Sequence, residues 1–298
     1  MQTKRQIQQL LASEGLQPNK RLGQNFLIDL NLMQLLIDYA NISRDDIVLE
    51  VGCGTGSLTE GLAQKSAKII AVEADPALAR IANRQLETQN NIEIINADIL
   101  ENKNTINPSV IEALKSARKQ YPGRFLLVAN LPYNVASPVM LNLVKAAPSI
   151  NAMYVTVQKE VAERMTAGPE NKHYGTLSIF LSATGRVKTE RVLKPTVFWP
   201  APQVDSAMVS FNVKEEKINR IKNIRLFSEI ISLFMQHRRK MVKTCTKFTT
   251  GRLAKITDFS EIFERAGVNP NDRPGQLLPQ NYISIANECY NQANLNGT

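Results

Sequence analysis

Asp46-Ile-Val-Leu-Glu-Val-Gly-Cys-Gly-Thr-Gly56 is the stretch on which the fold turns. Residues 46–51 read as a first β-strand, and the strand runs straight into glycines at every second position, Gly52, Gly54 and Gly56. Glycine lets a backbone turn tightly and come close to a ligand at a helix N-terminus. A dinucleotide-binding fingerprint, G-x-G-x-x-G/A, would need Gly or Ala at position 57, where this chain has Ser57. Instead an acid, Glu50, precedes the glycines.

Outward from this turn, strands and helices alternate. Residues 57–65 are predicted as a helix, 67–73 as strand two, and 76–87 as a helix with Pro76 in its first turn and Asp75 as its cap. Residues 92–98 form strand three, and after a polar loop 108–120 is helical. Strand four is the apolar run Arg124-Phe-Leu-Leu-Val-Ala129, followed by a helix from Ser137-Pro138 to about Ala147 and a fifth strand over 152–158. Short connections in a regular βαβα order predict an α/β fold with a doubly wound, mostly parallel sheet. Upstream, residues 1–20 resemble a short basic amphipathic helix carrying Ile7, Leu10 and Leu11, and Asp29 is placed to cap a helix over 30–40. Past Glu160 the pattern loosens: 175–184 looks helical, and 186–194 and 205–213 resemble a closing pair of strands around the proline-broken loop Phe198-Trp-Pro-Ala-Pro-Gln203. From about Ile218 to Tyr290 the chain reads as helical, broken at Gly251, at Gly267 and at 269–274. The expected domains are 1–215 and a small all-helical 216–298.

In open α/β sheets ligands bind outside the carboxyl ends of the strands. Three strand ends carry chemistry there. The first gives the glycine turn. The second ends in Glu73, placed to accept hydrogen bonds from two ribose hydroxyls, and the third in Asp98, where a carboxylate can accept from an adenine amino group. That edge fits an adenosine with a short side chain. Strand four runs into Asn130-Leu-Pro-Tyr133. Pro132 stops the ladder and forces a turn, which gathers an amide, two backbone carbonyls and an aromatic ring. Such a set suits an amino group on a flat base, although the same four residues also fit a plain strand-to-helix turn with Tyr133 packed in the core.

The glycine turn with Glu73 and Asp98, in order and at βαβ spacing, resembles the class I S-adenosylmethionine-dependent methyltransferases. The resemblance implies that Gly52 and Gly54 approach the cofactor, Glu73 holds its ribose and Asp98 reads its adenine. The tetrad looks like the N/D-P-P-Y motif of amino-methylating enzymes. With Gln24-Asn-Phe-Leu27, Tyr174-Gly-Thr-Leu-Ser178, Phe198-Trp-Pro-Ala-Pro-Gln-Val-Asp-Ser206 and the basic Gln236-His-Arg-Arg-Lys240, the chain resembles the ribosomal RNA adenine dimethyltransferases, of the small-subunit (16S) type, over roughly residues 20–280. The resemblance adds Asn25, Leu27 and Asn130 as cofactor contacts. It departs from the family at Cys53, where a proline is usual, and in a long polar insertion around 101–120.

On this reading Asn130 and the Leu131 carbonyl accept the two hydrogens of an adenine amino group, Pro132 shapes the turn, Tyr133 stacks on the base, and Phe198 stacks on its other face or simply packs. Arg238, Arg239 and Lys240 would grip phosphates rather than read bases.

Charge points the same way. The net charge of +9 resides in residues 214–255, with twelve Lys and Arg against three Asp and Glu, while the rest is neutral. A polyanionic partner fits this confinement, as does a solvated basic helix face. The expected partner is small-subunit ribosomal RNA or a pre-ribosomal particle. Cys53, Cys245 and Cys289 fit neither a disulfide framework nor metal spacing, and His173 and His237 share no ligand pattern, so no metal is expected. No apolar run is long enough to span a bilayer and the N-terminus lacks a signal-peptide core, which predicts a cytoplasmic protein; a monomer is the default. Competing readings are a large-subunit RNA adenine methyltransferase of the antibiotic-resistance type and a non-catalytic assembly factor on the same fold. A DNA adenine methyltransferase would want a separate target-recognition domain. A nicotinamide dehydrogenase is disfavoured by Ser57.

Overall fold

A computed structural model describes residues 1–19, 22–146 and 149–295. Lys20 and Arg21, in the loop expected before Phe26, and Ala147, at an expected helix end, lie outside the described residues. The chain forms two compact units, Met1–Ala162 with Lys188–Asn212, and Glu163–Val187 with Val213–Thr298.

The first unit is built on a seven-stranded sheet. Its strands are β1 (Ile47–Val51), β2 (Lys68–Glu73), β3 (Ile92–Asn96), β4 (Phe125–Asn130), β5 (Ala152–Gln158), β6 (Gly185–Leu193) and β7 (Ser206–Val213), in the order β3-β2-β1-β4-β5-β7-β6. The first five are parallel, and β7 runs antiparallel to β5. β1, all of whose residues are buried, lies between β2 and β4, so the strand order reverses beside it and opens a crevice at its carboxyl end. The opposite end of the same pair is tied by Asp46, which is buried and accepts from the Arg124 guanidinium at 2.6 Å and from the backbone N–H groups of Arg124 and Ser43 at 2.8 Å. Burial works against that carboxylate, yet Arg124 and the two N–H groups hold it below its ordinary range.

Helices α1 (Lys4–Ser13), α2 (Leu30–Ala40), α3 (Ser57–Ala63), α4 (Pro76–Gln85), α5 (Pro108–Gln120) and α6 (Ala136–Lys145) follow the expected order. Asp29 caps α2 and Asp75 caps α4, each accepting from two backbone N–H groups of the first turn. The loop after Asp98 differs from expectation: Leu100–Asn102 and Thr105–Ile106 pair as a small antiparallel hairpin, turned by an Asn102 side chain that accepts from Asn104 N–H at 2.9 Å. Helix α7 (Lys159–Thr166) was not legible in the sequence, and follows β5 without a break.

The second unit contains α8 (Thr176–Thr184), α9 (Glu215–Ile218), α10 (Ile224–Gln236), α11 (Val242–Cys245), α12 (Phe259–Arg265) and α13 (Pro279–Leu295). It includes residues 163–187, a stretch the sequence groups with the first domain. The physical reason is α8, which is buried nearly all round and packs on α10 and α13, with Phe180 5.6 Å from Phe227. Phe234 lies 6.0 Å from Tyr282 and 6.5 Å from Phe263. Each such buried aromatic contributes about 1.5–3 kcal/mol. The Tyr174 and Tyr282 hydroxyls donate to the carbonyls of Leu277 and Pro274, so neither ring leaves a polar atom stranded. Among the described residues no helix is long and apolar enough to cross a membrane.

Candidate active site

The crevice beside β1 holds one cavity lined by Asn25, Leu27, Gly52, Gly54, Glu73, Asp98, Asn130, Leu131, Pro132 and Tyr133. Ten of the eleven residues singled out from the sequence thus come together. Phe198 does not.

The glycine turn is a left-handed backbone, with φ of +76° at Gly52 and +59° at Gly54. Gly54 N–H donates to Glu73 Oε2 at 2.8 Å, and Asp75 N–H donates to Glu73 Oε1 at 2.9 Å. Glu73 is buried, which raises its carboxyl above the usual range although these N–H groups pull it back. Each of its oxygens keeps acceptor capacity for a ligand hydroxyl. Asp98 is exposed, and its Oδ1 accepts from Leu100 N–H at 2.9 Å, at the entrance to the unexpected hairpin.

Glu50 was read only as the acid before the glycines. It lines the cavity at 2% exposure, and its Oε2 has no hydrogen-bond partner among the described residues. Burial pushes its carboxyl up to about 8; the nearby Thr59 hydroxyl acts to lower it, and the Glu73 charge adds to the rise. A carboxyl inside an otherwise apolar strand was the available signal, because a buried acid needs a partner.

The N-terminal segment supports the turn from behind, a role with no signal in the sequence. The Gln2 side chain accepts from the Thr55 hydroxyl at 2.6 Å and donates to the Thr55 carbonyl at 3.1 Å, while Gln2 N–H donates to Ser57 Oγ at 2.7 Å. Ile7 of α1 reaches the cavity wall.

The tetrad closes the other side. Asn130 Nδ2 donates to the Asn25 carbonyl at 2.8 Å, and Asn130 Oδ1 accepts from the Thr156 hydroxyl. Leu131 N–H donates to the Thr156 carbonyl at 3.1 Å. A residue before proline is steered toward extended backbone. The Tyr133 hydroxyl shares a 2.7 Å hydrogen bond with Ser206 Oγ. Burial lifts this phenol above its ordinary range, Ser206 offsetting part of the rise, so it is neutral.

Of the two roles open to Phe198, base stacking and packing, the structure shows packing. It is 2% exposed, pairs with Leu27 in a two-residue antiparallel ladder, and belongs to the apolar cluster with Leu27 and Leu193. Trp199, its neighbour, stacks on Phe26 with centroids 6.1 Å apart. The segment from Phe198 to Ser206 therefore braces the site at both ends, at Phe26-Leu27 and at Tyr133. Among the described residues no group of three or more His, Cys, Asp or Glu could hold a metal ion.

In the second unit the basic stretch is partly used by the fold. Arg238 donates to the Lys172 and Asn171 carbonyls at 3.0 and 2.8 Å, and Lys217 to the Ser182 and Gly185 carbonyls. Arg239, Lys240, Lys243 and Lys247 are exposed. Among them Phe248 is 43% exposed, stacked on His237 at 4.0 Å, with Lys240 Nζ 5.5 Å from its ring centre.

Comparison with known proteins places this geometry. Residues 15–290 match the family described as ribosomal RNA adenine dimethylase. The chain is 33% identical over 286 residues to the ribosomal RNA small subunit methyltransferase A of Latilactobacillus sakei, across 95% of this chain and 93% of that one. It is 35% identical over 297 residues to the protein of the same name from Bifidobacterium adolescentis, across 94% and 91%. Among solved structures, a dimethyladenosine transferase from Plasmodium falciparum gives a TM-score of 0.70 at 23% identity, across 90% of this chain and 98% of its own. The 23S rRNA methyltransferase ErmE gives 0.60 at 22%, across 89% and 100%. At those identities the two structures speak for the fold.

Proposed function

The chain belongs to the ribosomal RNA adenine dimethylase family, and on that premise we propose that it transfers methyl groups from S-adenosylmethionine to the exocyclic amino groups of adenosines in small-subunit ribosomal RNA. The observation that carries this reading is the shared cavity: the glycine turn, Glu73 and Asp98 form one wall and Asn130–Tyr133 the other. Relatives named for the small subunit at 33–35% identity support the choice of subunit.

The residues fit the donor. The positive-φ turn lets backbone approach closely, Glu73 suits a pair of ribose hydroxyls, and Asp98 suits an adenine amino group. The Glu50 carboxyl, whose Oε2 has no hydrogen-bond partner among the described residues, suits a cationic group. S-adenosylmethionine supplies an electrophilic methyl group carried on a sulfonium.

The chain's own residues must make a weak nucleophile competent, since the lone pair of an adenine amino group is delocalised into its ring. Asn130 Oδ1 and the Leu131 carbonyl accept its two hydrogens. That draws the nitrogen toward a tetrahedral form and aims its lone pair. Orientation of this kind and fixed dipoles do the catalytic work. The Tyr133 ring, held by Ser206, offers a face on which the base stacks. The target base must leave any helix to reach the cavity. The alkylated nitrogen is acidic enough to release its proton to water, so no strong base is needed. Arg239, Lys240, Lys243 and Lys247 grip RNA phosphates. The compartment proposed on this reading is the cytoplasm.

The deciding experiment is mass mapping of methylated adenosines after incubating the protein with unmethylated small subunits and labelled donor. Dimethylated adenosines in small-subunit RNA are the expected result. Label confined to large-subunit RNA, or no label at all, overturns the assignment.

A further inference from the structure

Thr156 sits in the middle of β5, with no exposed surface, directly opposite Asn130 in the parallel ladder with β4. It does not line the cavity. Yet it meets the tetrad twice. Its hydroxyl bonds Asn130 Oδ1, and its carbonyl accepts from Leu131 N–H at 3.1 Å.

The polarity of these contacts is fixed by chemistry. The Asn25 carbonyl can only accept, so the amide nitrogen of Asn130 must face it, at 2.8 Å. The amide oxygen then faces Thr156, whose hydroxyl must donate. The torsion that turns an asparagine amide is soft, with broad, roughly two-fold preferences. One hydrogen bond leaves the amide free to swing about that contact; bonds at both ends hold it. An amide oxygen has two acceptor positions. Thr156 occupies one from below, and the other is left at the cavity wall, where Asn130 is only half-buried.

We infer that Thr156 is a positioning residue for methyl transfer, setting the angle at which Asn130 Oδ1 accepts a hydrogen of the adenine amino group. This rests on the reading of Asn130 as an acceptor for that amino group. Thr156 touches neither donor nor base and acts only through Asn130 and Leu131. A β-branched residue was unremarkable in a buried strand, so the role carried no sequence signal.

Thr156→Val keeps the shape and the strand preference and removes only the hydroxyl. Thr156→Ser keeps the hydroxyl. Single-turnover rates on small subunits at saturating donor should fall about 10–100-fold in Thr156→Val, the scale of a misaligned reacting pair. Thr156→Ser should stay within about threefold of wild type, and donor affinity and melting temperature should hold in both. The Asn130 side-chain amide, followed by NMR in the free protein, should rotate faster in Thr156→Val alone. A Thr156→Val protein with the wild-type rate overturns the inference. So does equal slowing in both variants, which assigns Thr156 to packing. A wild-type protein that methylates no adenosine overturns the underlying reading, and the inference with it.

Discussion

A Cβ placed on Gly52 would lie 2.9 Å from Pro132 Cγ. The glycine turn and the tetrad are therefore packed against one another. Gly52→Ala meets both this clash and a φ of +76°. We expect a stability loss of about 1–3 kcal/mol and at least about tenfold weaker donor binding. Gly15→Ala is the control, since Gly15 has φ of +67° with nothing near its Cβ, so it feels the backbone strain without the clash. Calorimetric titration of the two variants checks this, and equal donor affinities would refute it.

Glu50 is expected to make donor binding pH-dependent. In the free protein its carboxyl is pushed up to about 8, so it is mostly protonated at neutral pH. A cationic donor group favours the ionised form, and binding then releases a proton. Affinity should rise with pH up to about 8 and level off above it. The same raised carboxyl stabilises the free protein below the unfolded value, and that contribution is lost as pH climbs through about 8. Glu50→Gln should flatten both profiles, with the free variant more stable than wild type at pH 9 by on the order of a few kcal/mol. A donor affinity independent of pH in the wild type would contradict this account.

Asn130→Ala should abolish transfer, by about a hundredfold or more, while donor affinity falls far less. Single-turnover assays at saturating donor separate the two effects. Near-normal rates would remove Asn130 from the mechanism.

Tyr133 presents two separable groups, a ring and an anchored hydroxyl. Tyr133→Phe loses the 2.7 Å bond to Ser206 but keeps the ring, and should cost less than about tenfold in rate. Tyr133→Ala removes the stacking face and should cost more, mainly in KM for RNA. Equal effects would show that the ring only packs.

RNA binding should weaken steeply with salt, and replacing Lys243 and Lys247 by Ala should reduce the slope of log affinity against log salt by about two. Arg238→Ala should instead lower the melting temperature, because its guanidinium holds the Lys172 and Asn171 carbonyls. A slope unchanged by the lysine substitutions would move the RNA surface elsewhere.

The sheet was legible because its strands are near-continuous apolar runs with turn residues between them, and Asp29 and Asp75 announced their helices. The clustering of the candidate site was legible for the same reason: Gly52, Glu73 and Asp98 stand at strand ends, and strand ends can be counted. Residues that act from across the fold were not. Phe198 carries the same ring whether it faces a base or Leu27, and only the Phe26-Leu27 ladder decides. Arg238 reads as a phosphate contact until its carbonyl partners are seen. Asn102 and Thr105 offer no Gly or Pro to mark the hairpin they turn. Helix α8 was legible as a helix over 175–184, but its burial on nearly every side left no stripe to say which unit it packs in.

Helix α8 has a consequence for how the gene product can be shortened. The chain passes from the first unit to the second after Ala162, returns at Lys188 and leaves again after Asn212. A protein stopped at residue 215 would keep α8 yet lack α10 and α13, leaving Phe180 without Phe227 and Tyr174 without the Leu277 carbonyl. The catalytic half cannot be released by a single cut. During synthesis, too, residues 163–187 present bare apolar surface until the last helices emerge. Loss of the basic tail by truncation is therefore expected to appear as aggregation before it appears as weakened RNA binding.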